Sequence, residues 1–278
     1  MTPKPLPALR GLPLLVLLAL LPGCQLPPSV WVEDSREFTI PAEQIQSVDI
    51  ETYNGGIKSQ GVSGLTKATV LARIRAGGQD EADAKACLAA VSVHVEAKDA
   101  VLLAGYDFSS RRGWQVQVSF EIQQPHEAPL TASTHNGGIS ATGIEGRIQV
   151  DSHNGGIHVV DCEGEWSLQT HNGGIQASGK CSKFDIETHN GGIAVRIDQG
   201  GPITGDLVTH NGGVRLTLSP RASANLDCST SNGRIQCSLP MTATEATKTS
   251  LRAMLGEGRT RLRIRTHNGA IDIEPSDA

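Results

Sequence analysis

A chain of 278 residues fits one large domain or two small ones. Aromatic residues are only 3% of it while 31 residues are glycine, a balance that argues against a bulky-cored helical bundle and against a base-stacking platform for single strands. The formal charge of −5 argues against a phosphate-neutralising surface, so no nucleic-acid partner is expected.

The first segment reads as an address. Lys4 and Arg10 open it, Leu12 to Leu21 is almost wholly aliphatic, and Leu21-Pro22-Gly23-Cys24 follows. An apolar run of about ten residues is too short for the ~20 that span a bilayer and suits a signal-peptide core. The ending resembles a bacterial lipobox, although Pro22 stands where Ala or Ser is usual. That resemblance implies a signal peptide over 1–23 and a lipid on Cys24, with the membrane as partner through the anchor. Gln25 in place of Asp after the cysteine implies a cell-envelope lipoprotein of the outer membrane. Residues 24–36, with Pro27 and Pro28, read as a short tether.

Residues 37–130 read as an N-terminal cap. Thr69 to Arg75 and Trp114 to Ile122 alternate like strands. Asp80 to Ala90 is alanine-rich and acidic at its start, as a helix N-terminus prefers. A stack of strands needs such a cover, because an open end templates aggregation.

From 131 to 278 the chain repeats. Tyr53-Asn54-Gly55-Gly56-Ile57 announces a unit that returns as His-Asn-Gly-Gly-Ile at His135, His153, His171 and His189. Variants open at His210, Ser231 and His267, and the intervals from 135 are 18, 18, 18, 21, 21 and 36. The last is twice 18, so a degenerate unit is expected near 245–256, covering the far end. Within a unit, Phe184, Ile186, Thr188, Ile193 and Val195 fall on one face by the period-two rule.

Two architectures fit two short strands joined by an Asn-Gly corner. One is an antiparallel meander, since Asn-Gly is a strong hairpin signal. The other is an all-β parallel β-solenoid (β-helix) with coils of about 18–21 residues, like residues stacked about 4.8 Å apart. Only stacking explains why Thr, His and Asn recur unit after unit, so the solenoid is favoured. Asn136, Asn154, Asn172, Asn190, Asn211, Asn232 and Asn268 would then bond along the axis as an amide ladder in a buried corner.

These units resemble the bacterial putative-adhesin β-solenoid family, domains of largely unknown function built from Thr-x-Asn-Gly-x-Ile repeats. The resemblance runs over about 37–278 and includes the closing Arg261-Leu262-Arg263-Ile264-Arg265-Thr266-His267-Asn268-Gly269 strand. It implies an adhesin-like scaffold and says little about chemistry.

Catalytic signatures are missing from the sequence: it has no Gly-x-Ser-x-Gly, P-loop, Gly-x-Gly-x-x-Gly, His-Glu-x-x-His or Cys-x-x-Cys. Neither an enzyme nor a cofactor is expected. The reading is a non-enzymatic surface for a glycan, the cell wall or another protein. The alternatives are a polysaccharide-active enzyme, a metal-binding histidine ladder and a plain spacer. An outward column holds Asp185, Asp206 and Asp227, with Glu187 on the face of Asp185; such carboxylates on adjacent coils would repel unless solvated or bound to a cation.

Six of nine histidines share one outward column, with His153, His171, His189 and His210 the candidates for a transition metal and His135 in the same line. Charged imidazoles at that spacing would repel by roughly 1 kcal/mol per neighbour, and one uniform spacing is not a tetrahedral cage. Cys162 and Cys181, 19 residues apart, could bridge adjacent coils. Cys228 and Cys237 should face each other across the core, and packed sheets ~10 Å apart are too far to bridge unless the coil is narrow; Cys87 reads as a buried thiol.

Overall fold

The computed structural model describes residues 27–276. The chain enters on β1 (Val30–Pro41) and makes its first corner between β2 (Ser47–Asn54) and β3 (Ile57–Val62). It leaves the stack through β4 (Lys67–Gly78), helix α1 (Glu81–Ala89), the hairpin β5 (Val91–Lys98) and β6 (Val101–Phe108), and β7 (Gln115–Pro125). Corners resume with β8 (Leu130–Asn136), β9 (Ile139–Thr142), β10 (Ile148–Asn154) and two long strands, β11 (Ile157–Asn172) and β12 (Ile175–Asn190). There follow β13 (Ile193–Ile197), β14 (Gly201–Pro202), β15 (Thr204–Asn211), β16 (Val214–Leu218), β17 (Ala222–Asn232) and β18 (Ile235–Cys237). The chain closes with the hairpin β19 (Thr242–Ala246) and β20 (Ser250–Leu255), then β21 (Arg261–Asn268) and β22 (Ile271–Pro275).

The corners stack in parallel, which decides for the solenoid over the meander. Asn54 lies beside Asn136, and then Asn154, Asn172, Asn190, Asn211, Asn268 and Asn232 follow in register. Alternation sends every second side chain inward. Ile57, Ile139, Ile157, Ile175, Ile193, Val214 and Ile271 form one continuous buried column. Each such side chain contributes roughly 1.5–3 kcal/mol on burial. Volume is balanced between coils: a Cβ on Gly205 would lie 2.4 Å from the Phe184 ring one coil away.

Three expectations about layout are corrected. The tether placed at 24–36 gives way at Val30 to β1, which pairs antiparallel with β4 over its whole length. The unit at 47–62 is already a coil of the stack, because β2 and β3 pair with β8 and β9. The rest of the segment 37–130 is in sequence an insertion between the first two coils; in space its β6 and β7 pair with the outer edges of β2 and β3 and cover that end of the stack, with β1 folded onto β4. Helix α1 rests on β4 at Gly78, where a Cβ would meet Ala84 N at 2.4 Å. Asp80 caps that helix, its carboxylate accepting from Asp83 N at 2.8 Å.

The third correction concerns chain order. Residues 245–256 are not a degenerate coil; most of them belong to the β19–β20 hairpin, with β20 antiparallel to β17. The last coil in sequence is then threaded between its predecessors: β21 pairs with β15 on one side and β17 on the other. At the first coil β6 and β7 continue the stack in parallel and carry the antiparallel β5 and β4, while β20 lies antiparallel on β17 at the other end, which blunts exposed edges.

Candidate functional site

The corner is the most regular surface of the molecule, and its chemistry starts with the backbone. A Cβ on the first glycine of the pair would stand 2.0–2.1 Å from the carbonyl oxygen of the equivalent glycine at Gly137, Gly155, Gly173, Gly191, Gly212 and Gly269. Only glycine permits that approach. The second glycine is less confined: a Cβ on Gly174 would lie 3.3 Å from Gly192 O. The chain itself carries Ala270 and Arg234 at that place.

Two hydrogen-bond ladders fasten the corners. The seven expected asparagines and Asn54 form one unbroken amide ladder, each Nδ2 donating to the next Oδ1 at 2.6–2.8 Å. These side chains are exposed or half-exposed, so the corner expected to be buried is a surface feature. Beneath it runs a second ladder absent from the sequence reading. Thr134, Ser152, Thr170, Thr188, Thr209, Thr266 and Thr230 donate their hydroxyls to a glycine carbonyl of the adjacent coil at 2.8–3.0 Å. All of them are buried. Their recurrence two residues before each Asn was the signal.

The histidine column is present as a stack. Tyr53, His135, His153, His171, His189, His210 and His267 follow ring on ring, with centroids 4.7–5.0 Å apart and planes within 11° of parallel. His267 Nδ1 lies 3.1 Å from Ser231 Oγ at the far end. Imidazole lone pairs lie in the ring plane, so rings stacked face to face aim them in parallel rather than at one point. A metal ion would need two nitrogens within 2.0–2.1 Å, and no group of three ligands capable of holding one occurs among the described residues. His153, His171, His189 and His210 therefore form an aromatic stripe in this arrangement.

The acidic column is divided by the threaded coil. Asp185 does lie beside Asp206, but Arg263 is inserted between Asp206 and Asp227. Arg263 Nε donates to Asp206, and Arg261 lies 3.6 Å from Asp227. Glu187 sits two residues along from Asp185, paired in register with Val208. The expected repulsion between Asp206 and Asp227 is thus relieved by arginine, which leaves Asp185 and Glu187 as the carboxylates of this face without an ion-pair partner among the described residues. Arg263 escaped notice because chain order was taken as stacking order.

Cys162 and Cys181 are free and buried, correcting the expected bridge. Register shifts in β11 set Cys162 beside Gly179 and Gly164 beside Cys181. Burial pushes the Cys181 thiol up to about 11 and the Cys228 thiol up to about 12, the latter also raised by Cys237. Such thiols are inert at neutral pH. Cys87 is a buried thiol as expected. Cys24 and the segment 1–23 lie outside the described residues. No helix among the described residues is long and apolar enough to cross a membrane.

Fold and corner together define a capped parallel β-solenoid whose repeat is written in stacked Thr, Asn and Gly. The chain belongs to the Toastrack DUF4097 family, whose model matches residues 28–274. Solved structures that the chain matches include a "putative cell adhesion protein" from Clostridium sporogenes, 10% identical over 88% of this chain and 100% of that one, with a TM-score of 0.37. A "putative adhesin" from Bacteroides fragilis is 11% identical over 89% and 98%, with a TM-score of 0.37. Another from Parabacteroides distasonis is 11% identical over 87% and 97%, with a TM-score of 0.40. No curated protein matches the chain.

Proposed function

We propose that this protein is a lipid-anchored, non-enzymatic component of the bacterial cell envelope whose solenoid presents a binding surface to a glycan, the cell wall or another protein. The observation that carries the reading is the line of ring side chains on the corner, running from Tyr53 through His267, exposed or half-exposed and held in place by two hydrogen-bond ladders. A rigid, repetitive surface suits recognition of an extended partner with little ordering cost. The division of the acidic column by Arg263 favours binding over hydrolysis. The anchor rests on Leu21-Pro22-Gly23-Cys24; two or more acyl chains suffice for stable attachment at about 0.8 kcal/mol per buried methylene.

The test has two parts. Cys24→Ala should release the protein from the membrane fraction, and a variant that still sediments with membranes after signal cleavage removes the anchor from the proposal. The chain should capture envelope polysaccharide or peptidoglycan fractions without cleaving them. Turnover of any of these that Asp206→Asn abolishes would replace the binding reading by an enzymatic one.

A further inference from the structure

The cap hairpin separates from the stack at one place. β2 and β6 run in register only from Ser47 beside Val101 to Ile50 beside Ala104, yet β2 continues to Asn54 and β6 to Phe108. A cleft of ≈ 1100 Å³ opens between the diverging ends and is floored by Val116 and Gln117 of β7. In its wall the His94 imidazole packs over Gly105, where an added Cβ would lie 2.8 Å from Nε2.

Two kinds of side chain line the cleft out of proportion to the composition. Both tyrosines of the chain are there, with one of its three tryptophans and one of its four phenylalanines: Tyr53, Tyr106, Trp114 and Phe108. The acidic lining is Asp49, Glu51, Glu96 and Asp107; no lysine or arginine contributes. Of these, only Asp107 has a basic side chain within ion-pair distance among the described residues, His94 Nδ1 at 3.7 Å. Tyr53 is 59% exposed, the one aromatic ring among the exposed large hydrophobics. Trp114 is held rigidly, its indole donating to Asp83 Oδ1 at 2.7 Å and its ring packed against Phe108. The guanidinium of Arg111 lies 5.2 Å over that ring and covers it, so Tyr53 is the ring left open to a ligand.

We propose that this cleft binds an organic cation, an alkylammonium or guanidinium group carried on an apolar stem. The carboxylates attract the charge and are relieved of their mutual repulsion, while the rings take the stem and the face of the cation. Anionic ligands are repelled by the same lining, and a bare metal ion finds no set of three ligands there. This deepens the binding reading above and rests on it, by assigning one ligand class to one site. The ammonium group can belong to a free polyamine or to a lysine side chain of a partner protein, and the titration separates the two.

The full-length protein is titrated calorimetrically with spermidine in one arm and with a short oligolysine peptide in the other, with hexanediol as the uncharged control. Saturable binding is expected in at least one arm and none with hexanediol. Preference for spermidine assigns the site to free amines; preference for the peptide assigns it to a protein partner. The Asp49→Asn/Glu51→Gln double variant should weaken binding about tenfold, and so should a rise in salt from about 0.02 to about 0.2 M. Tyr53→Ala should weaken it a few-fold, on the order expected for one cation–π contact. All three side chains are exposed, so the variants should melt with the parent. Absence of saturable binding in both arms, equal binding of hexanediol, or variants that titrate like the parent would each overturn the cleft. If an envelope fraction is still captured in those cases, the binding reading stands without it.

Discussion

Gly173 and Gly174 are neighbours with opposite expected sensitivities. A Cβ on Gly173 would stand 2.1 Å from Gly155 O and 2.5 Å from its carbon, both backbone atoms of the adjacent coil that cannot swing away. The two coils would have to part by about 1 Å before reaching ordinary contact. Three bonds between them would be broken: Thr170 Oγ1 to Gly155 O at 2.9 Å, Asn172 Nδ2 to Asn154 Oδ1 at 2.8 Å, and Gly155 N to Asn172 O at 3.0 Å. At about 0.5–1.5 kcal/mol each, with a buried threonine hydroxyl left unpaired, Gly173→Ala should cost about 2–5 kcal/mol.

A Cβ on Gly174 would lie 3.3 Å from Gly192 O, a contact that a shift of a few tenths of an ångström relieves. Alanine also narrows the unfolded ensemble by about 0.4–1 kcal/mol. Gly174→Ala should therefore stay within about 1 kcal/mol of the parent. Denaturant unfolding followed by circular dichroism compares the two, and hydrogen exchange locates the loss, since a stack can open coil by coil. Equal midpoints for both variants would refute the close-approach argument.

Replacing Arg263 with Gln should cost about 1 kcal/mol at low salt and less at high salt, because Asp206 and Asp227 lose the guanidinium between them; adding Asp206→Asn should restore part of the loss, and a salt-independent effect would point to packing instead. Asn172→Leu should cost about 1–2 kcal/mol by cutting two rungs of the amide ladder, whereas the exposed His171→Gln should cost about 0.5 kcal/mol or less; the reverse order in thermal melts would make the ring stack the main fastening. At a pH of about 8 the native chain should resist alkylation at Cys181 and Cys228, whose thiols burial holds at about 11 and about 12; denaturation without reductant should expose every described cysteine, and an intact mass two hydrogens short would restore the disulfide.

The parts of the fold readable from sequence are those in which each unit obeys its own local rule. Alternation placed Ile186 and Thr188 inward and His189 outward, and the recurrence of Asn placed the corners in register. Stacking order was not readable, because every coil offers its neighbours the same Thr, Asn and Gly edge and any coil can follow any other. The interval of 36 residues before His267 was compatible with a degenerate coil or a hairpin, and periodicity cannot tell them apart. Only pairing across coils does so, with Arg263 between Asp206 and Asp227. The cysteine bridge failed on a similar detail: spacing of 19 looks like one coil, but the register shifts in β11 move the two thiols out of line.

The repeat and the proposed recognition surface are therefore separable in chemical terms. Thr, Asn and the first Gly are accounted for by contacts between coils: hydroxyl to carbonyl, amide to amide, and backbone against backbone. Nothing in stacking demands that the column beside them be imidazole, since Tyr53 and Ser231 occupy the same place at the two ends. Nor does stacking demand carboxylates at Asp49 and Glu51, which face the cleft and no other coil's arginine. Variation at the first set should register as lost stability, and variation at the second as lost binding with the melting temperature unchanged. The Asn-Gly signature identifies the scaffold, while the side chains it leaves unconstrained are the ones available for function.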